Sequence, residues 1–252
     1  VVDSLGVTPH HLYYGARKIA RHATFWYPSG SARKHLFAEG LGSFLVHFFG
    51  AAATINSLDP TLDGSDYAAH HGNSGILTAA LGNGFIVAVA LYITAGDNGS
   101  GGKLNPAIST GLFVAGRLRS LTFAAEVAVQ MVGAALGGLC VRAMLPAAYL
   151  GYTGEDATFR VEGSLTYGDA PRAFLWEFLG TAMLVFVYFA TAVDRHNLVY
   201  TRSMFPLCVG LATAVGTLAA GPYAGVGMNP ARAVAAAIAY WDVTRLWLYL
   251  AA

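Results

Sequence analysis

Charge is what this sequence has least of. Only 12% of its 252 residues are Asp, Glu, Lys or Arg, against roughly 25% in a soluble domain. Hydrophobic residues make up 55%, and the mean hydropathy is +0.50. One soluble core cannot bury that much apolar surface, so the solvent is a lipid bilayer. The net charge of +1 is too small for a nucleic-acid partner. The two cysteines, Cys140 and Cys208, stand in apolar runs and form neither a zinc spacing nor a disulfide framework. No His-Glu-x-x-His, nucleophile elbow or phosphate loop occurs. Nothing therefore points to a catalytic residue, a metal or another cofactor.

Acids are missing from residues 4–38, where Arg17, Lys18, Arg21, Arg33 and Lys34 fall. Residues 1–35 read as a basic amino-terminal segment. It is either an organelle-directed leader or the basic cytoplasmic end before a first membrane helix. The second is the better reading, because a mature protein would have lost a leader.

Distances between charges locate the membrane segments. Residues 40–58, 67–96 and 203–231 carry no Asp, Glu, Lys or Arg; 120–141 and 173–193 carry one each, Glu126 and Glu177. Each can cross ~30 Å of hydrocarbon at ~1.5 Å per residue, so five full spans are predicted. Two further apolar stretches, 104–116 and 228–241, have only half-span length. A sixth span is expected to begin near Leu246, where Trp247-Leu248-Tyr249-Leu250 follows. Most of it is absent from the given chain, and about twenty more apolar residues are expected beyond Ala252. Asp59, Asp63 and Asp66 lie on one side with the acid-rich 154–172 stretch; the basic amino end, Arg117, Arg119, Arg195 and Arg202 lie on the other. The positive-inside rule makes the basic side cytoplasmic or its equivalent.

The two halves repeat. Glu39-Gly40-Leu41-Gly42-Ser43 matches Glu177-Phe178-Leu179-Gly180-Thr181, and each is followed by Asn-Pro-Ala, at Asn105-Pro106-Ala107 and Asn229-Pro230-Ala231. Three spans separate the two glutamates, so the second half enters from the opposite side. Residues 36–252 thus read as one all-α membrane domain, an inverted repeat of about 36–145 and 170–252, with its site where broken helices meet.

Asn-Pro is a helix start. The Asn side-chain oxygen caps a free N–H, and Pro suits the first helical position because its missing N–H has no partner to lose. The Asn NH₂ is then left as an outward donor. Two such starts from opposite faces set two donors side by side and aim two positive helix ends, each about +0.5 charge, at one point. Water meets donors there; cations meet a barrier. An intramembrane carboxylate needs partners, so Glu39 and Glu177 are candidate functional residues. Glu126 reads as a helix–helix hydrogen bonder or an interfacial residue. His47 reads as a packing residue, and Gly133 with Gly137 as a close helix crossing.

With these motifs the sequence resembles the major intrinsic protein family, the aquaporins and aquaglyceroporins, from about Phe37 to Tyr249. The specific parts are Ser100-Gly101-Gly102-Lys103-Leu104-Asn105-Pro106-Ala107, Gly225-Val226-Gly227-Met228-Asn229-Pro230-Ala231-Arg232 and Tyr92-Ile93-Thr94-Ala95-Gly96. The resemblance implies that Arg232 stands at the pore's narrowest point and that Glu39 and Glu177 brace the pore loops. It implies Thr217 and Val226 as further filter residues, with Asn83 or, on an ungapped count, Phe85 as the fourth; Asn83 is preferred. Thr217 stands where water-selective members have His, and Ala233 where the glycerol branch has Asp. Lys103 either snorkels at the mouth or places positive charge in the vestibule. The implied function is a passive channel for water, with glycerol, urea, ammonia or hydrogen peroxide as candidate solutes and ions and protons excluded. The implied setting is a multi-pass homotetramer in a lipid bilayer. The alternative is a non-conducting structural subunit of a larger membrane complex.

Overall fold

The computed structural model describes residues 32–57, 64–95, 100–144, 170–194, 203–225, 227–241, 243 and 245–252. The basic segment to residue 31, the acidic stretches 59–63 and 154–169, and Arg195, Arg202 and Val226 lie outside them. All regular structure among the described residues is helical, as lipid demands of a spanning chain, since each backbone N–H and C=O must be bonded within its own segment. The helices are α1 (Ala32–Asn56), α2 (Gly64–Thr94), α3 (Pro106–Val114), α4 (Ser120–Met144), α5 (Ala170–Tyr188), α6 (Phe205–Ala224), α7 (Pro230–Tyr240) and α8 (Leu246–Ala251). A single π turn, Phe189–Val193, extends α5.

Ala32–Ile55, Gly75–Thr94, Ser120–Met144 and Ala170–Val193 are long and apolar enough to cross a membrane. The span expected over 203–231 is shorter. It runs as α6 for 20 residues and stops at Gly225, which takes the left-handed φ of 71° that a helix C-cap favours. Twenty residues still reach ~30 Å. The first span starts earlier than its apolar run, so Arg33, Lys34, His35 and Glu39 are all helical. Large apolar residues face outward, Leu121 at 83% and Phe186 at 73% exposure. That surface suits lipid and not water.

Packing repeats as the sequence does. In the first half α1 packs on α2 and α3 on α4; in the second α5 packs on α6 and α7 on α8. Across the halves α2 packs on α6, and the half-helix of each half reaches the other, α3 to α5 and α7 to α1. The α2–α6 crossing is backbone to backbone: a Cβ on Gly84 would stand 2.7 Å from the Gly210 carbonyl oxygen, and one on Gly210 2.5 Å from that of Gly84. Gly133 likewise lets α4 lie on α1, since its Cβ would meet the Gly40 carbonyl oxygen at 2.1 Å. These contacts draw the helices around a core that includes Leu91, Leu104, Ile108, Val209 and Met228, at the junction of the two half-helices.

Candidate functional site

Both half-helices begin in the same way. Asn105 and Asn229 are extended N-caps with φ of −154° and −152°, followed by proline. Asn105 Oδ1 accepts from the Ala107 N–H at 2.8 Å, and Asn229 Oδ1 from the Ala231 N–H at 3.0 Å. The residue before each, Leu104 and Met228, has a positive φ, 51° and 45°. A non-glycine residue takes that conformation only where its surroundings hold it.

The surroundings are the two glutamates. Glu39, on α1, accepts from the Lys103 N–H at 3.1 Å, the Leu104 N–H at 2.8 Å and Gln130 Nε2 at 2.7 Å. Glu177, on α5, accepts from the Gly227 N–H at 3.0 Å and from the Met228 N–H. Both are fully buried. Each carboxylate therefore pairs two amides that the left-handed turn leaves without a backbone partner.

The Asn donors do not both point outward. Asn105 Nδ2 donates to the Met228 carbonyl at 2.7 Å, and Asn229 Nδ2 to the Leu104 carbonyl at 3.0 Å. The two loops are thus stitched across the pseudo-twofold. Each Asn NH₂ has two hydrogens, so one serves this tie. The two helix starts therefore meet, and their positive ends lie close together.

In the first turn of α7, Arg232 is 8% exposed. Its Nη1 donates to Asn83 Oδ1 at 2.8 Å and its Nη2 to Thr54 Oγ1 at 3.3 Å. Asn83 Nδ2 in turn donates to Thr54 Oγ1 and to the Ala79 carbonyl. A Cβ on Gly50 would stand 2.7 Å from Asn83 Oδ1, so only glycine lets α1 and Asn83 come this close. Phe85, the ungapped candidate, is 57% exposed: two residues along a helix is more than half a turn, so it faces away from Asn83. Thr217 is buried, and its hydroxyl donates to the Thr213 carbonyl. Val226 lies outside the described residues.

A cavity of about 30 Å³ is bordered by Asn105, Asn229, Asn83, Arg232, Lys103 and Thr213 among others. That is room for about two waters. Thr213, one turn before Thr217, is the α6 threonine on this wall.

Lys103 is neither a mouth residue nor exposed. Its side chain is wholly buried, with Nζ 3.1 Å from Glu126 Oε1, 3.5 Å from Glu39 Oε1 and donating to the Ser100 carbonyl at 2.6 Å. Glu126, read above as a helix–helix hydrogen bonder or an interfacial residue, is its counter-charge. Thr54, Thr213 and Gln130 carried no motif and were missed. Gln130, one turn after Glu126 on a helix with few polar residues, was the one signal available.

Residues 27–252 match the protein-family model described as Major intrinsic protein. The chain is 32% identical over 214 residues to Aquaporin TIP4-4 of Zea mays, covering 85% of this chain and 78% of that protein. It is 30% identical over 217 residues to Probable aquaporin PIP2-1 of Oryza sativa subsp. japonica, covering 84% and 72%. Its fold is similar to the X-ray structure of the aquaglyceroporin from Plasmodium falciparum, with a TM-score of 0.60 at 21% identity over 87% of this chain and 89% of that one.

Proposed function

The chain belongs to the major intrinsic protein family, and on that footing we propose that it is a passive channel for water and small neutral solutes that excludes ions and protons. It is an integral membrane protein, and its family is one of channels rather than enzymes. The observation that carries the reading is the pair of half-helices tied start to start at a polar cavity, with Arg232 beside it. After the cross-tie each Asn keeps one side-chain hydrogen to give to a molecule in the lumen. A water there must turn its oxygen to the two donors, which breaks a continuous chain of proton-passing bonds. The converging helix ends and the guanidinium oppose cations.

Arg232, Asn83 and Thr54 form the polar collar of this reading, with Thr217 and Val226 assigned to it by motif spacing. Asn83 stands where an aromatic ring would narrow the collar, which suits neutral solutes larger than water, such as glycerol and urea, as well as ammonia and hydrogen peroxide. The test is stopped-flow light scattering on vesicles carrying the purified protein, under water gradients and then glycerol gradients. The parent is expected to accelerate both. Thr217→His should lower glycerol flux and spare most water flux, and Arg232→Val should admit a proton or cation leak. A parent that accelerates no neutral solute refutes the proposal and favours a structural subunit.

A further inference from the structure

A second cavity, of about 20 Å³, lies between α1, α4 and α7 and is bordered by Arg232. Its walls are Val46, Ala51, Ile55, Gly138, Val141 and three alanines of α7, with two polar residues, His47 and Arg232. His47 is 3% exposed. Gly137 lets α4 lie against the α1 backbone around it, since a Cβ there would stand 2.7 Å from the Phe44 carbonyl oxygen. Its Nδ1 lies 2.6 Å from the Ser43 carbonyl oxygen one turn earlier. A carbonyl only accepts, so Nδ1 carries the hydrogen and the neutral ring presents a lone pair at Nε2. That Nε2 is buried and has no hydrogen-bond partner among the described residues. A buried acceptor without a donor is costly. His47 lines a cavity above the ~10–15 Å³ that one water needs, whose other polar residue, Arg232, carries five N–H donors.

We propose that this side cavity is a binding site for one water molecule, which donates to His47 Nε2 and accepts from Arg232, and that His47 is thereby a positioning residue for the guanidinium. The ligand must be small, neutral and able both to donate and to accept; a cation is opposed by Arg232 and an anion by the His47 lone pair. Asn83 and Thr54 hold Nη1 and Nη2 directly, and the water adds a further bond from the cavity that α1, α4 and α7 enclose. His47 acts from behind the collar, without touching the lumen.

The consequence for flux rests on the channel reading above; the binding site itself does not, and the experiment separates them. The first arm is a structure of the full chain in lipid at a resolution that shows ordered water. A peak within hydrogen-bond distance of both His47 Nε2 and Arg232 is expected in the parent, and its absence there overturns the proposal. The second arm is vesicle flux. His47→Phe keeps the ring and removes the lone pair, whereas Ala239→Val fills the cavity and leaves His47 in place. Both are expected to raise proton leak about fivefold, the population change when a water-bridged bond of ordinary strength is lost. His47→Gln, which restores an acceptor, should recover most of the exclusion. Ala239→Val keeps the test open if His47→Phe does not fold. Leak equal to the parent's in both variants overturns the positioning role. A parent that passes no water refutes the channel reading while the density arm still decides the site.

Discussion

Lys103→Met should destabilise the protein severely, and adding Glu126→Leu should reverse part of the damage. Lys103 and Glu126 are both wholly buried, 3.1 Å apart. At an effective dielectric near 20 that separation corresponds to an attraction of about 5 kcal/mol. Desolvating both groups offsets most of it, so the pair as a whole contributes little. Removing Lys103 is different, because both carboxylates stay buried without their cation; the usual cost is ~3–5 kcal/mol, a large share of the ~5–15 kcal/mol that favours a native fold. Lys103→Met should lose that much; Glu126→Leu should lose less, because Lys103 keeps Glu39 at 3.5 Å. The double variant should lie between the parent and Lys103→Met, since the Glu126 charge leaves with its partner and Glu39 keeps its two backbone amides and Gln130, while Glu39 and the Ser100 carbonyl both lose the ammonium. The assay is reversible unfolding of purified protein in mixed micelles, followed by tryptophan fluorescence. If the double variant is no more stable than the worse single one, the two charges are not a matched unit and the reasoning is refuted.

Glu177→Leu should leave the Gly227 and Met228 amides unpaired, at ~1–3 kcal/mol each, while Glu177→Gln keeps one acceptor and should cost less; thermal melting in detergent ranks the two, and equal melting points would contradict the bracing role. Glu39→Leu should cost more than Glu177→Leu, because Lys103 loses a nearby carboxylate as well as two amides losing their acceptor; the same melts decide the order. Gly210→Val should force α2 and α6 apart, because even its Cβ would stand 2.5 Å from the Gly84 carbonyl oxygen. The expected loss is ~1–3 kcal/mol or more, with reduced water flux in vesicles; parent-like melting and flux would show that the crossing yields.

What the sequence determined by itself was local or periodic. Asn105 and Asn229 cap their helices through an N–H only two residues on, so Asn-Pro-Ala sets the two starts wherever it occurs. Spacing between charges found the spans, because a bilayer selects length and apolarity and little else. Duplicated glutamates ahead of duplicated helix starts gave the inverted repeat. Tertiary structure decided everything that depends on two segments meeting. Asn105 gives a hydrogen to a carbonyl 123 residues away, and no capping rule says so. Asn83 reaches Arg232 across 149 residues while Phe85 turns outward, a difference of helix face that an uncertain gap between motifs leaves open. Thr54 joins them with no motif, and Lys103 is drawn inward to Glu126 instead of to the membrane surface. These partners are fixed by where α1, α2, α4 and α6 cross. The crossings are fixed in turn by glycines whose missing side chains leave no pattern in the sequence beyond their spacing.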